Sequence, residues 1–377
     1  MARDLARAAL TNVPSRPVTT AAQHLAELVA FHTQQAGADG RAGDERPICN
    51  HLAPLLSERG ADEVVIGTGT CTDGRTGAYV FARWGTPRRI INAHIDTVPA
   101  NAGWSRDPWQ PHVEGGRLYG LGSADTKGAI AAALVALDTA TPVDRGVLFS
   151  GDEEAGSGVL RAFLASEDAR AIEDVIVCEP TARRAGVAHR GVLGQKATLT
   201  GPGGHSSKAD HLPKPLATLA RLAAALDDAG IRRRGDGPPG MAGTCLNIAA
   251  LAGGVAFNVI PARAELEWSL RPYPGFDRAG WDREVAALAA ALDPAIAVAT
   301  TIDHGPFACD ALAELVRPFA RELGPLDFWT EAAMWTEHGK RAVVIGPGDI
   351  AQAHAADEYV TLDDLEWAVE LFRALLA

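Results

Sequence analysis

A chain of 377 residues, 47% hydrophobic and 22% charged, has the composition of a folded soluble protein and excludes disordered or fibrous architectures. That length exceeds one ordinary core and predicts two domains, or one large domain carrying an insertion. A formal net charge of −12 argues against a nucleic-acid partner, which needs clustered Lys and Arg; the one basic run, Arg232-Arg233-Arg234, reads as a solvated loop.

In chain order, residues 1 to about 18 read as a loosely held extension, and a helix follows over 21–32. No apolar stretch near the start is long enough for a signal peptide or a membrane span, so no membrane partner is expected. Strands over 78–84, 89–93, 147–150 and 175–178, with an Ala-rich helix over 128–139, predict an α/β sheet with helices on its faces. From about residue 191 the pattern changes to strand 192–200, helix 216–229, strands 244–252 and 263–271, and helix 281–292, the succession of a small α+β unit. The α/β pattern resumes with 311–323, a strand over 342–345 and a closing amphipathic helix over 362–376. The expectation is a discontinuous domain, 1–190 and 305–377, interrupted by an inserted domain, 191–304. The five cysteines are scattered without a CxxC pair, which fits neither a disulfide framework nor a thiolate zinc site and predicts a reducing cytoplasm.

Polar clusters follow the apolar runs directly, where α/β sheets keep their sites. The run Ile90-Ile91-Asn92-Ala93 ends in His94 and Asp96, two apart and so on one face of a strand. His94 is a candidate metal ligand, with Asp96 fixing its second ring nitrogen; a turn cap is the plain alternative. Asp125 lies in a Gly-rich loop before a helix, where it reads as an N-cap or as a carboxylate whose two oxygens bridge two ions. Asp152-Glu153-Glu154 follows the strand 147–150, and three adjacent acids repel unless solvent or cations compensate. Glu179 ends the strand 175–178, and His354 stands in a late polar segment. Two histidines, one bridging Asp and two Glu make five ligands of the mixed type that zinc accepts, enough for two divalent ions sharing Asp125, with cobalt a substitute.

In this order, His94-x-Asp96-Thr97-Val98-Pro99, Gly122-x-x-Asp125-x-Lys127-Gly128, Asp152-Glu153-Glu154, Glu179-Pro180-Thr181, Gly204-His205-Ser206-Ser207 and His354 resemble the M20 metallopeptidases. Phe328-Trp329-Thr330-Glu331-Ala332 and the stretch 346–358 resemble its acetylornithine and acetylcitrulline deacetylase group. The resemblance implies that Asp125 bridges two zinc ions, with His94 and Glu179 completing one and Glu154 and His354 the other. It implies Glu153 as general base, Asp96 as the partner of His94, a cis peptide after Asp125, and hydroxide attack on a linear amide. The insert corresponds to a lid that mediates homodimerisation, with His205 stabilising the oxyanion and Asn258 and Arg271 on the substrate. Trp329 and Glu331 are further candidates for substrate contact, Trp329 being equally readable as packing. The expected activity is removal of an acyl group, acetyl first, from a small amino acid. The alternatives are succinyl-diaminopimelate desuccinylase, a carboxypeptidase or dipeptidase, and a metal-binding protein without turnover.

Overall fold

The computed structural model describes residues 19–37, 40–140 and 142–377; the expected N-terminal extension lies outside them. Its largest unit is a mixed nine-stranded sheet. The strand order is Glu63–Thr70, Thr76–Trp84, Arg145–Ser150, Arg89–His94, Asp174–Val177, Arg341–Val344, Arg184–His189 and Phe307–Ala308, with Glu322–Leu326 paired onto Arg184–His189. The four strands from Arg145–Ser150 to Arg341–Val344 run parallel. Parallel strands are covered on both faces and therefore carry unbroken apolar runs, as Val147-Leu148-Phe149 and Val175-Ile176-Val177 do.

Alternation along those strands sorts the core into two layers. Ile91, Ala93, Val147, Phe149 and Ile176 face the helices Ala21–Val29, Arg46–Ser57, Lys127–Leu137 and Leu362–Leu376. Ile90, Leu148, Val175 and Val177 face Gly158–Leu164 and Ala332–Glu337, with Phe163 and Trp335 fully buried among them. Lys127–Leu137 lies between the sheet and two other helices, which is why it is apolar on every side.

A second body has its own core. Strands Asn247–Gly253, Arg263–Leu270, Val192–Thr200 and Ala297–His304 form an antiparallel sheet in that order. In Arg263–Leu270 every second residue is buried, with Leu266 and Trp268 facing the helices Pro215–Arg232 and Arg278–Leu292. Among the described residues the opposite face has no covering layer, and Asn247–Gly253 is exposed along nearly all its length. The chain enters this body at Gly191 and leaves at Gly305, and the two crossings touch: a Cβ on Gly191 would lie 2.4 Å from the His304 carbonyl oxygen, so only glycine fits there.

The expected helix over 21–32 ends at Val29, and the strand expected from 244 begins at Asn247. The stretch 311–323 resolves into one helical turn, Ala313–Val316, and the start of the strand Glu322–Leu326. Arg184–His189 and the two-residue ribbon pairing Gly204–His205 with Val259–Ile260 were not anticipated. No helix among the described residues is long and apolar enough to cross a membrane.

Candidate active site

Because the central strands are parallel, their C-terminal ends open on one edge. His94 pairs in register with Ser150, Asn92 with Val177, and Val177 with Val344. The segments that continue these strands carry Asp96, the acids 152–154, Glu179 and, further on, His354. Asp125 reaches the same edge from the loop before Lys127–Leu137, where Gly122 has φ +79° and a Cβ would come within 2.7 Å of Thr97 Cγ2. The Asp125–Thr126 peptide bond is cis.

His94 Nε2 lies 2.9 Å from Asp125 Oδ1, and His354 Nε2 lies 3.0 Å from Glu154 Oε1 and 3.5 Å from Asp125 Oδ2. Asp125 thus faces both histidines, one with each oxygen. Ligand-type atoms of His94, Asp125 and Glu154 all lie within 4.8 Å of one another. Glu179 is buried beside them, 6% exposed, and within electrostatic reach of Asp125, His94 and Glu154.

The acids and histidines of this pocket perturb one another strongly. Burial pushes the Glu153 carboxyl well above its usual range, reinforced by Glu179, and burial followed by Asp125 does the same to Glu179. Glu154 is raised by burial and by Asp125. Burial pulls the other way on His94, but its bonds to Asp125 and Asp96 prevail and hold it well above the ordinary histidine value. His354 is raised to about 10 by Asp125 and then Glu154, while Asp125 is lowered, burial being outweighed by the two histidines. A field that keeps protons on both imidazoles is one that favours divalent cations, and the His and carboxylate donors are those zinc accepts. The donor set therefore fits a metal centre.

The surrounding hydrogen bonds fix these groups. Asp96 is fully buried; its Oδ1 accepts the Glu153 N–H and its Oδ2 the Glu154 N–H, both at 3.1 Å. His94 Nδ1 lies 3.0 Å from the Asp96 backbone oxygen and 3.5 Å from its carboxylate, so the expected side-chain partnership is made mainly by the main chain. Glu358 accepts N–H groups from Gly122, Ala124 and Asp125, and so holds the loop that presents Asp125. Glu45 accepts from Ala78 and Asp152, gripping the acidic turn from behind. Burial raises both Glu358 and Glu45 to about 8, with Asp125 and Asp96 respectively adding to it. Sequence reasoning assigned these two residues no role.

Residues 90–377 match the family model described as Peptidase family M20/M25/M40. The chain belongs to this family. Among M20 relatives, the N-acetyl-L-citrulline deacetylase of Xanthomonas campestris is 38% identical over 364 residues, covering 92% of this chain and 95% of that protein. The acetylornithine deacetylase of Myxococcus xanthus is 34% identical over 293 residues, covering 72% and 75%. The fold is shared with an M20 family metallo-carboxypeptidase from Sulfolobus solfataricus, at a TM-score of 0.74 and 17% identity, covering 93% and 97% of the two chains. This M20 chain is thus a hydrolase with a mixed α/β fold.

Of the remaining expected residues, His205, Asn258 and Arg271 lie on the second body. His205 is exposed on the small ribbon, its Nδ1 beside Ser207 Oγ at 2.9 Å. Asn258 is also exposed, and its backbone oxygen accepts the Ser206 N–H, which brings it next to His205. Arg271 is exposed on the second body, its N–H bonded to the Thr244 oxygen. Trp329 packs on His304 with ring centres 4.6 Å apart and donates its indole N–H to Gly305, so it braces the crossing into the second body. Glu331 is 2% exposed, accepts from Ser150 Oγ at 3.1 Å and lies within electrostatic reach of His94 and Asp96, and burial raises it to about 7.

Proposed function

We propose that this M20 hydrolase is a metal-dependent deacylase of small N-acyl amino acids, with N-acetylcitrulline and N-acetylornithine as the leading substrates. The observation that carries this reading is Asp125 set between His94 and His354, with Glu153 and Glu154 adjoining. Identity of 38% to a citrulline deacetylase along nearly the whole chain supports the substrate class.

In this reading Asp125, with His94 and Glu179 on one side and Glu154 and His354 on the other, would hold two divalent ions, zinc or its substitute cobalt, which when bound would supply Lewis acidity for the amide carbonyl and for a water. Glu153 takes the proton of the attacking water on its carboxylate and returns it to the departing amine. Asp96 holds the Glu153 and Glu154 backbone in place while this happens. The second body acts as the lid and dimerisation domain, 191–304, on a catalytic domain formed by 1–190 and 305–377. Leu251, Val255, Phe257 and Val259, all exposed, supply an apolar surface suited to a second copy. His205 donates to the developing oxyanion, and Asn258 and Arg271 hold the substrate carboxylate, for which a planar guanidinium fork is suited.

The test is a panel of N-acetylornithine, N-acetylcitrulline, N-succinyl-diaminopimelate and dipeptides, assayed by release of acid or amine from zinc-loaded protein. Acetate release from an acetyl amino acid is the expected result. Preference for the succinyl substrate or for a peptide bond overturns the acyl assignment; bound metal with no hydrolysis overturns catalysis.

A further inference from the structure

One chain of hydrogen bonds into the site begins in the loop between the first two helices, outside the residues matched by the family model. Gln35 is 6% exposed, and its backbone N–H donates to the Thr97 oxygen at 2.7 Å, which seats the loop against the segment after His94. Its side chain then spans two charges. The amide Nε2 donates to Asp96 Oδ2 at 2.7 Å, and the amide oxygen accepts from an Arg75 guanidinium nitrogen at 2.6 Å. Arg75 is itself fixed by Asp73, 2.6 Å from its Nε.

The Asp96 carboxylate has few ways to be satisfied, because it is completely buried. One oxygen accepts only the Glu153 N–H among the bonds described above, with His94 Nδ1 at 3.5 Å; the other shares the Glu154 N–H and Gln35 Nε2. A buried carboxylate rotates toward whichever donors remain, and loss of one leaves an oxygen underbonded. Turning Asp96 would release the two consecutive backbone N–H groups that set where Glu153 and Glu154 point. Glu45, from the far end of the same loop, accepts the Ala78 and Asp152 N–H groups and neither of these two, and so cannot replace that hold.

We propose that Gln35 is a positioning residue for the hydrolytic site, acting through Asp96 on Glu153 and Glu154, with Arg75 fixing the amide orientation so that its nitrogen, not its oxygen, faces the carboxylate. This deepens the function proposed above and rests on it for the roles of Glu153 and Glu154; the hydrogen-bond part does not.

The test compares wild type with Gln35→Met, which keeps length and volume but lacks the amide, with Arg75→Met, and with the double variant. The first readout needs neither substrate nor metal: amide hydrogen exchange of Glu153 and Glu154 in the metal-free protein. Gln35→Met should speed exchange at these two amides by about tenfold while distant strand amides such as Val147 stay unchanged. The second readout is affinity for Zn2+ alone, expected to fall 10–100-fold, the range for removal of an outer partner of a metal site. The third is kinetics, with kcat lowered by a similar factor and KM moved less than about threefold. Arg75→Met should show a smaller loss, and the double variant no more than Gln35→Met, since Arg75 works through Gln35. Unchanged exchange and zinc affinity in Gln35→Met overturns the proposal whatever the activity does; additive losses in the double variant overturn the part given to Arg75. Should Gln35→Met fail to fold, Arg75→Met carries the same three readouts. If wild type hydrolyses nothing in the substrate panel, the functional reading fails while exchange and zinc binding still decide the role of Gln35.

Discussion

The two regions that carry the proposed chemistry are built in opposite ways. At the edge of the large sheet, Asp96, Asp125 and Glu179 are nearly or wholly buried, and the loops that present them are tied by side chains from distant parts of the chain, Glu358 and Glu45 among them. On the second body, His205 sits on a two-residue ribbon and Asn258 just before its partner strand, both exposed and held mainly by each other's neighbours. Groups that must keep a geometry to a fraction of an ångström need rigid elements and supporting bonds, whereas groups that meet a substrate by closure or by a second copy can stay on the surface until then. On the proposed function, the contrast is between a preformed half of the site and a half still to be assembled.

The sharpest way to break that contrast is Glu153→Gln. Turnover should drop by about 10²–10⁴-fold with zinc content and fold retained; near-normal kcat in a fully metallated variant would refute the role of the base. Next in size is His205→Ala, which should lower kcat by about 10²–10³-fold, the range for one lost oxyanion donor, while leaving zinc affinity untouched. An altered metal affinity there would show that the ribbon is part of the preformed half after all. The third concerns His189, fully buried where the large sheet meets the second body, its Nε2 accepting the Thr330 N–H and its Nδ1 bonded to the Arg190 oxygen. Burial lowers its pKa to about 4 from the ordinary 6.5. The unfolded chain therefore takes up a proton that the folded one refuses, so this contribution is intact above pH 6.5 and is lost as pH falls from there towards 4. The loss approaches on the order of 3 kcal/mol. Denaturant titrations across that range should show the slope, and His189→Gln should flatten it; an unchanged slope would mean that His189 does not control the acid sensitivity.

How much of this was legible in the sequence follows from the same physics. The central parallel strands were readable because burial on both faces leaves an uninterrupted apolar run, and His94, the acids 152–154 and Glu179 were readable because they stand at or just past the ends of such runs. Arg184–His189 was not, being a mixed run of small and polar residues near the sheet margin, and a ribbon of two residues leaves no period to detect. Trp329 and Glu331 were noticed as a motif, yet only packing showed one bracing a crossing and the other buried against Ser150. Gln35, Glu45 and Glu358 act through bonds to backbone N–H groups or to Asp96, and no residue type or spacing announces such bonds.

The narrow neck at Gly191 and Gly305 has an evolutionary corollary. Because the chain departs and returns through one point, the intervening hundred or so residues are, topologically, a single overgrown loop. They can be exchanged, enlarged or remodelled without disturbing the strand register that gathers the acids and histidines. If the second body plays the proposed part, substrate preference and assembly can drift on one timescale while the hydrolytic core stays put on another.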